Sequence, residues 1–445
     1  LHPQQEDQEK MKRQLAALFA TATLVAACSS AAATPPPTAT PTPPATPAPS
    51  TAATPAPTPA GPDCAGGKQA TITFWHTYNT DGPETKQLDD VVIPAFERYC
   101  PNITVKAVVQ PYNGLHDQLV TAVAGGGMPD LMRMDIIWTP EFAKLGALAE
   151  VDGLSGFDNI KGNVFAGPLA TNAYKGKYYG VPLDTNTTTL IYNPKIIATP
   201  PTTTDELKTA AIAAKGNNKW GLGLGGDGSW NLFPLIWTLG GSITNDDYTK
   251  ASGYLDSDKT VAALQWIIDL YKAGGAGPSL VGGKPDSWGG FSGSNYGMVM
   301  DGPWFFPAVG SAMGAKPAPM PTGPGGSISV IGGENLVIFK SSTNQDADWA
   351  FAKFMLSDEA QMDMAAVGQM PVTNSASSST AMTSVDYYGP YIQQLKTAKP
   401  RPVTAAWTQM DKILTDAFDS AMRGKKTAAQ ALHDAAAQID PLLAQ

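Results

Sequence analysis

The sequence predicts an α/β protein with parallel-rich sheets flanked by helices, and three observations carry that reading. From Thr71 almost to the C-terminus, short β-branched or aromatic runs alternate with longer segments of helical periodicity. That alternation calls for a sheet whose crossovers cover both faces. Hydrophobic residues make up 43% of the 445, enough for sizeable cores in two domains. Residues 31–62 contain only Ala, Thr, Pro, Ser and Gly, so no core can form there and the globular part must lie beyond them.

The elements follow in order. Ala70–Trp75 is a strand, Glu84 to Arg98 a helix with Leu88, Val91, Val92 and Ala95 at helical spacing, and Ile103–Gln110 a second strand. His116–Ala124 is a helix, and Pro129-Asp-Leu-Met-Arg-Met134 ends a third strand. Leu190-Ile-Tyr192 is a strand, and Thr203-Thr-Asp-Glu206 is a capping box opening a helix. Trp220–Leu224 is a strand, Val261–Lys272 a helix, and Tyr296–Met300 a strand ending at Asp301-Gly-Pro-Trp304. Thr404–Met422 is a helix stopped by Gly424, and Thr427 caps the last one.

The N-terminal region sets the compartment. Lys12 and Arg13 precede an apolar run, Leu15 to Ala26, too short to span a bilayer and followed by small residues and Cys28. Val25-Ala-Ala-Cys28 resembles a bacterial lipobox, with Cys28 acylated as the mature N-terminus; an ordinary signal peptide is the alternative. Translation is expected to start at Met11. Residues 1–27 are then leader and signal peptide, and 28–66 a tether. If extended, its proline-rich part would reach roughly 100 Å at about 3.1 Å per residue. The mature protein is expected outside the cytoplasm, lipid-anchored to the cell membrane. With Cys28 lipidated, Cys64 and Cys100 remain as a pair near the N-terminal ends of neighbouring parallel strands, and a disulfide is expected.

A formal charge of −9 with no basic stripe excludes nucleic acid as a partner. His2, His76, His116 and His433 are scattered without metal-ligand spacing, and neither a Gly-x-Ser-x-Gly elbow nor a phosphate loop occurs. No catalytic residues, cofactor or metal are therefore expected. Tryptophan placement is the positive signal. Trp237, Trp266 and Trp349 fit apolar helical faces, and Trp220 a strand edge. Trp75, Trp138, Trp230, Trp288, Trp304 and Trp407 fall at strand ends or loop edges, with Asp135, Asp184, Asn186 and Asp301 nearby. An indole face covers the C–H face of a pyranose while amides and carboxylates take its rim, so this set points to a carbohydrate cleft.

Several ordered segments then resemble one family: Ile72-Thr-Phe-Trp-His-Thr-Tyr78, Gly127-Met-Pro-Asp-Leu131, Lys177-Tyr-Tyr-Gly-Val-Pro-Leu183, Leu190-Ile-Tyr-Asn-Pro194, Met300-Asp-Gly-Pro-Trp304 and Ile331-Gly-Gly-Glu334. The chain is similar to the family 1 extracellular solute-binding proteins, in the branch of maltose, maltodextrin and arabinogalactan-oligomer binders that feed ABC importers. The resemblance implies a two-lobed, hinge-joined fold of the periplasmic-binding-protein type II class with ligand between the lobes. Lobe 1 would be 67–184 and 332–368, and lobe 2 would be 188–330 and 372–445, with crossings near Asp184–Thr188, Ile331–Gly333 and Gly368–Pro371.

Carried over by position, the implied ligand contacts are Trp75, His76, Tyr78, Asn79, Asp135, Trp138, Asp184, Asn186, Trp230, Asp301, Trp304, Glu334 and Trp407. Trp304 and Trp407 would form the stacking platform. Asn186 stands where maltose binders commonly carry glutamate, and Asp411 where an arginine is expected. The implied function is a monomeric, non-enzymatic sugar-binding lipoprotein delivering a mono- or oligosaccharide to permease subunits, held at the membrane only through its lipid. Two alternatives remain. One is a same-fold binder of a polyamine, a glycerol phosphodiester or a ferric ion, for which Tyr387-Tyr388 is the only tyrosine doublet proposed. The other is a secreted glycoside hydrolase using Asp135 and Asp301.

Overall fold

The first parallel strands form where β-branched residues alternate with polar ones. β1 (Ala70–His76) pairs in parallel with β2 (Ile103–Val109), from Ala70 opposite Ile103 to His76 opposite Val109. The computed structural model describes residues 64–444. Cys28, the leader and nearly all of the tether lie outside them. The expected end of the tether at 66 is three residues late: Cys64–Gly67 is already a short turn, joined to the body by a Cys64–Cys100 disulfide with Cα atoms 5.4 Å apart. Asn102 Nδ2 also donates to the carbonyls of Cys64 and Lys68, each at 2.7 Å. Closing a loop of this length is worth about 3–4 kcal/mol by chain entropy.

After helix α1 (Leu115–Gly125), β3 (Leu131–Asp135) runs parallel on the other side of β1. α2 (Thr139–Lys144) follows, then the two-residue β4 (Val181–Pro182). The chain leaves this sheet through β5 (Asn186–Thr187) and enters a second one at β6 (Thr189–Tyr192). α3 (Thr204–Ala213) carries the expected capping box between Thr203 and Glu206. Next come β7 (Trp220–Gly223), α4 (Ser229–Thr238), α5 (Asp258–Lys272), β8 (Tyr296–Asp301) and β9 (Lys316–Ala318).

The return passes through β10 (Val330–Gly332) to β11 (Glu334–Ile338), which completes the first sheet in the order β2-β1-β3-β11-β4. α6 (Gln345–Met355) and α7 (Asp358–Ala365) cover that lobe. α8 (Tyr388–Leu395), β12 (Lys399–Pro400), α9 (Trp407–Met422) and α10 (Ala428–Leu443) end the chain. Among the described residues no helix is long and apolar enough to cross a membrane.

The architecture is the two-lobed α/β class expected, with less parallel pairing than alternation alone suggests. In the second sheet, ordered β9-β6-β8-β7, only β7 and β8 are parallel. Strands arriving from the other lobe enter in the opposite direction, as β11 does beside β3. A third ribbon, β12-β10-β5, lies where the lobes join. The lobe boundary near 368–371 needs correction. Thr185 bridges to Met370, but the chain then stays with the first lobe: Val372 N–H donates to Gln361 at 2.8 Å, Thr373 bridges to Val164, and Ser375 bonds Asp358. It packs with second-lobe residues again through Met382 and then α8, where Tyr388 and Tyr391 lie with Ile191, Val299 and Phe305.

The expected core tryptophans fall as their helical spacing implies. Trp237 and Trp266 pack in the second lobe, Trp349 in the first with its Nε1 donating to Ser155 O, and Trp220 lies half-buried at the edge of β7.

One buried acid sits awkwardly in this frame. Ser342 Oγ lies 2.5 Å from Asp348 Oδ2 and 2.9 Å from Asp130 Oδ1, and one hydroxyl hydrogen cannot serve both. Asp348 Oδ1 has no partner. Burial first, and then the nearby Asp130 charge, push the Asp348 carboxyl up from 3.8 to about 7. Protonated, Asp348 can donate to Ser342, which passes its own hydrogen to Asp130. Because the folded-state value lies above the unfolded one, this site stabilises the fold fully below about pH 4 and loses that contribution as pH rises through about 7. Asp348→Asn should flatten that decline and be the more stable protein at pH 8 by about 1–3 kcal/mol. Urea unfolding at pH 4.5 and 8 measures it; parallel pH profiles for the two proteins would contradict it.

Candidate functional site

Asp135 ends β3 opposite Glu334 of β11, and its carboxylate turns to other elements. The Ile137 N–H donates to its Oδ1 at 3.1 Å, and Tyr112 Oη donates to Oδ2 at 2.8 Å. Arg401, in the segment after β12, reaches Oδ1 at 3.4 Å. Tyr112 stacks on Trp138 with ring centres 5.2 Å apart and planes 21° from parallel. Trp138 is 5% exposed and backs Tyr112, which is 46% exposed and therefore offers the free face.

The facing wall is aromatic. Arg401 also lies over the Trp230 ring, 5.7 Å from its centre, and Trp230 stacks on Trp304 at 6.0 Å and 27°. Trp230 sits in the first turn of α4, and Trp304 follows β8 through Asp301-Gly-Pro. Both are half-buried. Two glycines allow this arrangement. A Cβ at Gly332 would lie 2.1 Å from Asn186 Oδ1 and 2.6 Å from the Trp230 ring; Gly368, at φ +97°, passes within 2.7 Å of the Trp304 Cα by the same measure.

Asp301 orients the indoles. It accepts from Trp288 Nε1 at 2.5 Å, from the Gly302 N–H at 2.8 Å and from the Trp304 side chain. Burial raises its carboxyl to about 6 against these hydrogen bonds. Asp411 on α9 is held above the usual carboxylate range by burial, with Ser229 and Arg401 pulling the other way. Asp411 Oδ1 and Arg401 Nε, an acceptor and a donor, are buried without protein partners.

Behind Asp135 lies an ionic knot within the first lobe. Arg133 pairs with Glu334 at 2.6 Å and Asp184 at 3.4 Å, donates to Gln369 at 3.1 Å and Thr77 at 3.0 Å, and stacks over Tyr78 at 4.2 Å. Burial drives Glu334 well above its usual value, Arg133 opposes it, and the adjacent Asp184 raises it further. One guanidinium therefore serves two carboxyls. Farther out, Thr408 of α9 donates to Glu141 of α2 at 2.7 Å, and His116 of α1 lies 3.0 Å from the same oxygen. Burial opposes charge on His116, but the Glu141 and Asp117 carboxylates raise its pKa above 6.5.

The sequence-predicted residues thus divide. Asp135, Trp138, Asn186, Trp230 and Trp304 come together, with Asp301 positioning the indoles. Asp184, Glu334 and Tyr78 belong to the knot. Trp407 is a correction: it is 1% exposed, edge-on to Phe233 at 6.0 Å in the second-lobe core, so it offers no stacking face and Trp230 takes that place. Only its Nε1 is without a partner. His76 is also core, 1% exposed between Phe74 and Tyr78, and burial lowers its pKa to about 4. Trp75 points to the opposite face of β1, against the cluster of Met134 and Phe142, and Asn79 lies on an exposed turn bonded to Glu84.

Tyr112, Arg133 and Arg401 went unread in the sequence. Tyr112 follows the carboxyl end of β2, where ligands of such sheets collect, and Arg133 interrupts an otherwise apolar strand; both were available signals. The Tyr387-Tyr388 doublet packs against Phe306 and Ala365, which removes it as a ferric site.

The chain is similar to known proteins in sequence and in fold. The sequence profile described as bacterial extracellular solute-binding protein matches residues 79–362. A maltotriose-binding protein of Pyrococcus abyssi is 27% identical over 335 residues, covering 70% of this chain and 67% of that protein. A diacetylchitobiose-binding protein of Streptomyces coelicolor is 28% identical over 318 residues, covering 67% and 72%. Among solved structures, the GacH receptor of Streptomyces glaucescens, determined unliganded and with acarbose, superposes with a TM-score of 0.77 at 25% identity, covering 84% of this chain and 98% of that one.

The knot makes a stability prediction. Arg133→Met leaves two buried carboxyls without their cation and should cost about 3–5 kcal/mol. Adding Glu334→Gln should recover part of that loss. Urea denaturation of the single and double variants measures both; a single-variant loss below about 1 kcal/mol would contradict the assignment.

Proposed function

This chain belongs to the bacterial extracellular solute-binding proteins, and from that premise we propose that it captures an oligosaccharide between its lobes and hands it to the permease of an ABC importer. The observation that carries the proposal is the meeting of two unlike walls: the Trp230–Trp304 plates of one lobe and the Asp135–Tyr112 rim of the other, joined through Arg401. A pyranose has two apolar C–H faces and a polar equator, and each wall matches one of these. The uncommitted Arg401 Nε and Asp411 Oδ1 supply a donor and an acceptor, which is what a hydroxyl requires.

Relatives named for maltotriose and diacetylchitobiose and a structure solved with acarbose support an oligosaccharide ligand. The role needs binding and release rather than bond cleavage. Asp301, one of the two carboxylates a hydrolase reading would use, is committed to two indoles and the Gly302 N–H. Closure would work as a population shift, since Asp135–Arg401 and Thr408–Glu141 join the lobes only when they meet. In this reading the protein acts as a monomer outside the cytoplasm, tethered by lipid on Cys28 through its proline-rich segment.

Maltotriose at about a hundred times its Kd should add roughly 2.7 kcal/mol to stability. Trp230→Ala and Trp304→Ala should each weaken it at least tenfold in calorimetry. Trp349→Ala should lower Tm while leaving the affinity within about twofold. Unchanged affinity in both Trp230→Ala and Trp304→Ala would overturn the stacking role. Release of reducing ends from the sugar would overturn the non-enzymatic reading.

A further inference from the structure

A cavity of about 380 Å³ lies at the junction of the lobes, and none of its lining residues belongs to the tryptophan–carboxylate site. Its wall takes Thr185 from the segment entering β5, Ile331 from β10, and Met370, which bridges to Thr185. Phe165 closes it from the first lobe, and Met382 and Leu395 close it from the far side. Ligand pockets run from about 300 to 1,000 Å³, so the space suits a small molecule. The lining is mainly apolar, and two methionines let it adapt to different shapes. Lys396 stands exposed at the rim and forms no ion pair within 4.0 Å among the described residues.

We propose that this cavity is a second ligand site, taking a small amphiphile whose apolar body fills the space and whose carboxylate meets Lys396, and that its occupancy is linked to lobe closure. The link follows from what the walls are. Three segments at the junction, around Thr185, Ile331 and Met370, contribute to the lining, so rotation of the lobes reshapes the cavity. An occupant that fits the arrangement described here favours that arrangement, in which the Asp135–Arg401 and Glu141–Thr408 contacts are made. By reciprocity it raises affinity for a ligand that also favours that arrangement. This last step rests on the sugar-binding reading; the cavity's own occupancy does not.

The test uses the full chain with ¹³C-labelled methionine methyl groups, titrated with octanoate and with 1-octanol. Saturable shifts at Met370 and Met382 are expected with octanoate, at least tenfold tighter than with the alcohol. Lys396→Glu should bring octanoate down to the alcohol's affinity, and Leu395→Trp should abolish the shifts by filling the space. Saturating octanoate should tighten maltotriose binding at least threefold. Absent or non-saturating shifts, shifts spread across the 15 methionines, or octanoate affinity indifferent to Lys396→Glu would overturn the site. Octanoate binding that leaves maltotriose affinity unchanged would overturn the linkage. Maltotriose that fails to bind at all would overturn the sugar-binding reading and leave the site judged on the methyl shifts.

Discussion

The contact on which the arrangement depends is the one Asp135 makes with Arg401. Asp135 is the last residue of a first-lobe strand, and Arg401 follows the ribbon strand that leads into the second-lobe helices. Both side chains are largely buried, at 11% and 7% exposure. A pair desolvated to that degree contributes little net stability, because the cost of leaving water offsets the Coulombic gain. What it contributes is placement. With one oxygen on Arg401 and the other on Tyr112, the carboxylate cannot rotate, and the guanidinium is held over Trp230.

The lobes themselves are held differently from the junction between them. Each has its own apolar core, and the first is further fixed by the Arg133 knot and the Cys64–Cys100 bridge. Across the cleft the named contacts are polar: Arg401 on Asp135, and Thr408 on Glu141. Such bonds exchange readily for bonds to water, so their net free energy is small. On the cleft side the halves can part at modest cost, while at the junction Ala365 and Met370 stay packed with Ile191 and Phe305.

Most of the scaffold was legible because its signals are local. Thr203 and Glu206 formed the capping box, Gly424 adopted a left-handed φ after α9, and β-branched runs became strands within a residue or two. The site was legible only in part. Strand-end or loop-edge position picked out Asp135, Trp138, Trp230 and Trp304, which the fold brings near one another through Arg401 and Tyr112. It failed for His76, which strand alternation turns into the core, while Trp75 faces the other layer, partly buried against the cluster that includes Trp138. Trp407 misled because it opens a helix beside polar residues, yet it packs against Phe233 from another helix. Arg401 had no local mark, since its importance comes from Asp135, 266 residues away. Pairings of that length are tertiary facts, and one sequence without its fold does not carry them.

The most direct measurement is a crystal structure of the protein with maltotriose. A glucosyl ring is expected against the Trp230–Trp304 plates, with its hydroxyls bonded to Asp135 on one side and to Arg401 or Asp411 on the other. Sugar seated elsewhere, or held by one lobe alone with Asp135 and Trp230 both untouched, would contradict it.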